Sequence, residues 1–144
     1  MVELTGDDLN YFSAFERITG VIPIDFISTE FGMYYLVSKP DLGKAIGKNG
    51  ANIQRLKVVL KRKVVVIGDN KDIEDFVRGF FSNVEIVSVE LREAPGQKVL
   101  FLTIAEKDRG IAIGKSGERI KAAKEFMKKK FGAEIKLQTR RTEI

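Results

Sequence analysis

The chain has 144 residues, 44% hydrophobic and 31% charged, with a net charge of +5, which predicts a globular protein. Cysteine and histidine are absent, which excludes disulfides, Cys/His zinc sites and the commonest catalytic pairs, so we expect no metal, no cofactor and no enzymatic activity. No apolar run reaches the roughly 20 residues of a membrane span and the N-terminus lacks a signal-peptide pattern, so we expect a cytoplasmic protein without a membrane partner.

The first half of the chain predicts a helix, two strands, two more helices and a strand. In order these are a helix from Asp7 to Gly20, strands Val21–Ile27 and Met33–Val37, a short helix entering the glycine-rich stretch Gly43–Gly50, a helix over 51–61 and strand Val64–Ile67. The apolar stripe of the first helix consists of Leu9, Phe12, Phe15 and Ile18. Alternation in the first strand places Ile22, Ile24 and Phe26 on one face.

The second half predicts the same order. Its elements are a helix capped by Asp69 or Asn70 with an apolar face of Ile73, Phe76, Val77 and Phe80, strand Val87–Arg92, a turn at Ala94–Gln97, strand Val99–Ala105, the glycine-rich stretch Gly110–Gly117, a helix over 118–130 and a last strand with Ile135 and Leu137.

The two halves are copies of one unit. A shift of 67 residues makes nine of the seventeen positions from Asp41 to Lys57 identical, and the glycine-rich stretches GKAIGKNG and GIAIGKSG coincide. The sequence therefore predicts an α+β protein with α-β-β-α-α-β in each copy, and domains over 1–68 and 69–144.

Charge alternates along the chain in two cycles. Residues 1–30 carry a net charge of −5, residues 39–63 carry +7, residues 64–105 carry −3 and residues 106–144 carry +6. Each basic block holds one glycine-rich stretch. A basic stripe is typical of a polyanion binder, although a lysine-rich solvated face gives the same pattern.

The glycine-rich stretches combine features that favour phosphate binding. Their glycines allow a sharp turn and close approach of another backbone, and the helix that follows points free N–H groups at the same space. A solvent-facing helix–turn–helix stays an alternative. A nucleotide-binding P-loop fits poorly, because Gly110–Ser116 has three residues where that motif needs four and Asn49 stands in place of its hydroxyl.

These stretches resemble a known signature. Ile46–Ile53 (IGKNGANI) and Ile113–Ile120 (IGKSGERI) are similar to the I-G-K-x-G-x-x-I pattern of KH domains, and the element order resembles the type II version. Two such units with almost no linker resemble the archaeal NusA-like transcription factors over nearly the whole chain.

The resemblance implies two tandem type II KH domains, each a three-stranded sheet packed on helices, in a monomer that binds single-stranded RNA. The implied role is transcription termination or antitermination. Bacterial relatives add an N-terminal polymerase-binding domain and an S1 domain, and we expect neither here, so RNA polymerase stays an open partner. A KH protein of RNA processing or ribosome biogenesis, a small NTPase and a protein-interaction module are the competing functions.

The expected RNA-binding residues fall into three groups. The loops contribute Gly47, Lys48, Asn49, Gly50, Gly114, Lys115, Ser116 and Gly117. The apolar groove beside them contributes Ile46, Ile53, Ile113 and Ile120, with Val65 and Ile135 on the neighbouring strands. The helices after the loops contribute Asn52, Arg55, Arg119 and Lys121.

Each group has a structural alternative. The isoleucines are equally well explained as core, and the polar residues after the loops as solvated helix surface. Gly43 and Gly110 are expected to serve helix packing. Most aromatic residues lie outside the basic blocks and are expected in the core, so recognition should depend on backbone contacts and aliphatic packing rather than on stacking.

Overall fold

The computed structural model describes residues 6–141, and the chain divides into two compact units, Met1–Asp69 and Asn70–Ile144. The first unit contains helices α1 (Gly6–Thr19), α2 (Leu42–Ile46) and α3 (Ala51–Leu60) and strands β1 (Asp25–Ser28), β2 (Gly32–Val37) and β3 (Lys63–Gly68). The second contains α4 (Ile73–Phe80), α5 (Arg109–Ile113) and α6 (Glu118–Phe131) with strands β4 (Ile86–Ala94), β5 (Gln97–Ala105) and β6 (Glu134–Arg140). The predicted α+β class is confirmed.

In the first unit, β2 is the central strand. It pairs antiparallel with β1 and parallel with β3, and all six of its residues are buried. Phe15 of α1 stacks on Tyr35 of β2 with ring centroids 4.2 Å apart, and the Tyr35 hydroxyl donates to the Tyr11 carbonyl at 2.9 Å. Burial raises the pKa of Tyr35 far above its ordinary value. The core thus joins the first helix to the middle of the sheet.

The predicted first strand is wrong over its first half. The strand begins at Asp25, and Ile22 and Ile24 are 64% and 54% exposed. Pro23 has no N–H group to donate to a ladder and holds its own φ fixed, so regular pairing cannot extend back through it. Leu9 of the predicted helix stripe is also exposed, at 51%.

The second unit repeats this sheet with β5 in the centre, antiparallel to β4 and parallel to β6. The predicted apolar face of α4 is confirmed, since Ile73, Phe76, Val77 and Phe80 are all buried. The predicted cap is wrong. Asp72 is the N-cap, and its carboxylate accepts the Asp75 N–H at 2.9 Å.

The two units differ in the length of the helix after the glycine-rich stretch. Helix α3 has 10 residues and α6 has 14, so the second helix is longer by four residues, or one turn. The sheet pairings around this insertion correspond, because Val65 lies beside Tyr34 in one unit and Lys136 lies beside Phe101 in the other. Within residues 6–141, no helix has both the length and the apolar character required to cross a membrane.

Candidate nucleic-acid interface

Two loops, Gly47–Gly50 and Gly114–Gly117, have nearly the same backbone conformation. In the first loop φ is 81° at Gly47, 56° at Asn49 and 73° at Gly50. The second loop has 78° at Gly114, 54° at Ser116 and 77° at Gly117. Three of the four residues in each loop therefore adopt positive φ, where glycine is unstrained and asparagine is tolerated better than serine.

The first glycine of each loop is required by space as well as by φ. A Cβ on Gly47 would lie 2.9 Å from the backbone nitrogen of Asn52, and one on Gly114 would lie 3.0 Å from that of Arg119. Each loop is closed by a hydrogen bond from the fourth residue to the first, with Gly50 N donating to Gly47 O at 3.1 Å and the same bond in the second loop. These glycines let the loop fold onto the helix that follows.

The second glycine of each loop has a different environment. A Cβ on Gly50 or Gly117 would meet no atom within 4 Å. Positive φ explains why glycine occupies this position, but no part of the protein fills the space beside it. A bare backbone facing open space, at the N-terminus of α3 or α6, is suited to close approach by another backbone.

The residues at the loop apices face solvent. Lys48, Asn49, Lys115 and Ser116 are all exposed. Their positions put an ammonium group and a small polar group beside each open glycine. The loops thus combine positive charge, a helix N-terminus and unobstructed backbone, a combination that favours phosphate binding.

A groove of about 1050 Å³ lies beside the second loop, between α5, α6 and β6. Its apolar lining includes Ile113, Ile120, Ile135 and Leu137, so the three isoleucines that the sequence groups together do share one surface. Ile113 and Ile120 are half-buried, as residues at the wall of an open groove should be.

In the first unit, Ile46 and Ile53 are half-buried beside the loop, and Ile53 packs against the core. The expected contribution of Val65 to this surface is wrong. Val65 pairs with Tyr34, whereas the core that faces the helices is formed by the alternate residues Met33, Tyr35 and Val64. Because side chains alternate along a strand, a shift of one residue places Val65 on the opposite face of the sheet.

Two of the polar residues after the loops have partners within the protein. Asn52 Nδ2 donates to the Lys44 carbonyl at 3.0 Å and ties α3 to α2. Arg119 Nη2 donates to Asn83 Oδ1 at 2.6 Å and to the Phe80 carbonyl at 3.1 Å. Sequence could not show the Arg119 bonds, because they depend on how segments more than 30 residues apart meet. The Asn52 bond is local and depends on the angle between α2 and α3.

The other two polar residues after the loops, Arg55 and Lys121, are exposed on α3 and α6. The expected packing role of Gly43 and Gly110 is wrong, because a Cβ at either would meet nothing within 4 Å. Sequence reasoning missed four basic residues that line the groove: Arg109, Lys124, Lys128 and Lys136. The signal available was the lysine that the duplication repeats at Lys57 and Lys124.

The fold and the loops together define the class of protein. The sequence profile of the KH domain matches residues 72–143, which is half of the 144-residue chain, and the chain belongs to the KH-domain family.

Individual relatives extend the similarity over both units. The chain is 28% identical over 130 residues to the "Probable transcription termination protein NusA" of Halobacterium salinarum, covering 90% of this chain and 93% of that protein. A protein with the same name from Methanococcus vannielii is 27% identical over 122 residues, covering 85% of this chain and 70% of that protein. The predicted similarity to archaeal NusA-like proteins is therefore confirmed over most of the chain.

A solved structure is similar in sequence and fold. The crystal structure of APE1850 matches with a TM-score of 0.74 and 35% identity, covering 95% of this chain and 100% of that one.

Proposed function

We propose that the protein is a pair of tandem type II KH domains, 1–68 and 69–144, that binds single-stranded RNA through both glycine–lysine loops. The observation that carries the proposal is the repeated loop geometry. In each unit the second glycine, Gly50 or Gly117, faces open space beside an exposed lysine and a helix N-terminus. Membership of the KH family supports RNA as the ligand, since KH loops clamp the backbone of about four nucleotides.

The proposed division of labour follows from the chemistry of each surface. Backbone N–H groups and the ammonium groups of Lys48 and Lys115 bind phosphates. The open glycines let the strand come close. Bases enter the apolar groove, where Ile113, Ile120 and their first-unit counterparts Ile46 and Ile53 pack against them. Arg55 and Lys121 lie on the exposed side of the helices that follow and are placed to contact the strand beyond the loop.

The proposed biological role is transcription termination or antitermination, without enzymatic activity and with RNA polymerase as a second partner. The names of the relatives from Halobacterium and Methanococcus support this role. Co-purification tests it against a function in RNA processing or ribosome biogenesis. Recovery of RNA polymerase supports the transcription role, and recovery of ribosomal subunits without polymerase contradicts it.

The RNA-binding site is tested by replacing the loop apices. The variant carries Lys48→Asp, Asn49→Asp, Lys115→Asp and Ser116→Asp. Aspartate tolerates positive φ at positions 49 and 116 better than most residues do, so the fold should persist. We expect affinity for single-stranded RNA, measured by fluorescence anisotropy, to fall below detection while the circular dichroism spectrum stays unchanged.

Charge alone must be separated from position. Each loop replacement changes the net charge by −3, and Asn70→Asp with Lys71→Asp makes the same chemical change outside the loops. This control should lose little affinity. Equal losses in a single-loop variant and in the control would show that the loops are not the site.

A further inference from the structure

The groove of the second unit is markedly basic on its helical side. Arg109 at the start of α5 and Lys124 and Lys128 on α6 line it, and Glu134 is the acidic residue in the lining. Lys136 also belongs to the lining, but it holds the strand position of Val65 and alternates with Ile135 and Leu137. The floor of the groove is apolar. A groove with an apolar floor and a basic rim fits a nucleic-acid strand whose bases point into the groove and whose phosphates lie along the rim.

Lys124 and Lys128 are placed as a pair. They are separated by four residues on one helix, which sets them about 6 Å apart along its axis and on the same face. Both are exposed, and neither has an ion-pair partner among residues 6–141. Two like charges in this relation repel each other, so the pair does not stabilise the helix.

The helix dipole explains only one of the two. Lys128 lies in the last turn of α6, where a cation is favoured by the carbonyl end of the helix. Lys124 lies seven residues before the last residue of the helix, Phe131, and outside the reach of that effect.

The first unit lacks part of this charge. The position that corresponds to Arg109 holds Leu42. Helix α3 ends one turn earlier than α6, so Lys61, which the 67-residue shift matches to Lys128, lies just past the last residue of its helix. The second unit therefore adds Arg109 and a longer helix to a lysine that both units share, Lys57 in the first and Lys124 in the second.

We infer that Lys124 and Lys128 bind consecutive backbone phosphates of the nucleic-acid strand whose bases occupy the groove, beyond the phosphates held by the second loop. This inference rests on the proposed function and adds a second line of phosphate contacts to it. The second unit then supplies more of the salt-sensitive binding energy than the first.

The test uses the full chain with the first loop replaced by Lys48→Asp and Asn49→Asp, so that binding reports the second unit. Into this parent we introduce Lys124→Gln with Lys128→Gln. The matched control is Lys98→Gln with Lys129→Gln, which removes the same charge from the same unit at residues that do not line the groove. Affinity for a mixed-sequence RNA octamer is measured across a series of salt concentrations.

We expect the slope of log affinity against log salt to become shallower by about 1.4 in the groove variant, or about 0.7 for each lost phosphate contact on a single strand. The control should keep the parent slope. Chemical denaturation should show little change in stability, because relief of the repulsion between the two lysines offsets the lost interaction of Lys128 with the helix dipole.

The outcomes separate the two proposals. Equal slopes in the groove variant and the control overturn the role of Lys124 and Lys128. If Lys115→Asp with Ser116→Asp still abolishes binding in that case, the proposed function stands. If neither the parent variant nor the wild-type chain binds RNA, both the proposed function and the role of the two lysines are overturned.

Discussion

At the scale of single residues, the two glycines of each loop carry different constraints. Gly47 needs positive φ and has no room for a Cβ beside the backbone of Asn52, whereas Gly50 needs only positive φ and faces open space. The fold thus requires glycine at position 47. At position 50 the fold requires only the positive φ, and we propose that the RNA strand lies against the open side of this glycine.

This difference predicts separable effects of alanine. Gly47→Ala should lower the free energy of unfolding more than Gly50→Ala does, because the second change costs only the left-handed conformation, about 1–2 kcal/mol. Gly50→Ala should nevertheless weaken RNA binding, since its methyl group occupies the approach surface. Urea denaturation and anisotropy titration of both variants measure the two effects. Retention of full affinity in a folded Gly50→Ala protein would count against backbone approach at this glycine.

The same scale shows where sequence reasoning ends. The loop residues could be found because glycine and lysine recur at fixed spacing in both copies. The bonds of Arg119 to Asn83 and to the Phe80 carbonyl could not, because an arginine after a loop has the same local sequence signal whether it faces solvent or packs against another helix.

At the scale of helices and strands, hydrophobic periodicity predicted the order and type of elements, and the boundaries failed for identifiable reasons. The first strand is shortened by Pro23, a residue visible in the sequence. The assignment of Val65 failed by one residue, because an all-apolar strand such as Val64–Ile67 has no alternation to show which face is inward. Regular patterns predict register only where polar residues alternate with apolar ones.

The N-cap of α4 gives a prediction at this scale. Four polar residues, Asp69 to Asp72, precede the helix, and the Asp72 carboxylate accepts a helix N–H. Asp72→Ala should therefore lower the stability of the second unit by about 1 kcal/mol, in the usual range for a lost cap. Asn70→Ala is the control and should change the free energy of unfolding by about a few tenths of a kcal/mol at most. Thermal and urea unfolding compare the two, and equal losses would rule out Asp72 as the stabilising cap.

At the scale of the whole molecule, the alternating charge blocks correspond to the two units. Each unit has an acidic stretch that forms its first helix and a basic stretch that holds its loop and the helix after it. The net charge of +5 conceals this division. A chain built from two such copies presents two glycine–lysine loops, and the number of nucleotides that it binds tests whether both contact RNA.

If both loops clamp RNA, affinity should rise with oligonucleotide length until about eight nucleotides are bound, at about four for each unit. Replacing one apex pair, Lys48 and Asn49 or Lys115 and Ser116, by two aspartates should move this plateau to about four nucleotides and make the salt dependence shallower. The loss of RNA affinity should be larger when the second loop is replaced, because that loop adjoins the basic groove. Anisotropy titrations with oligonucleotides of four to twelve residues measure the plateau, with Asn70→Asp and Lys71→Asp as the charge-matched control. A plateau at four nucleotides in the unmodified protein would mean that only one unit binds RNA.

The single-loop variants would then identify the binding unit, since only the replacement in that unit would abolish RNA binding.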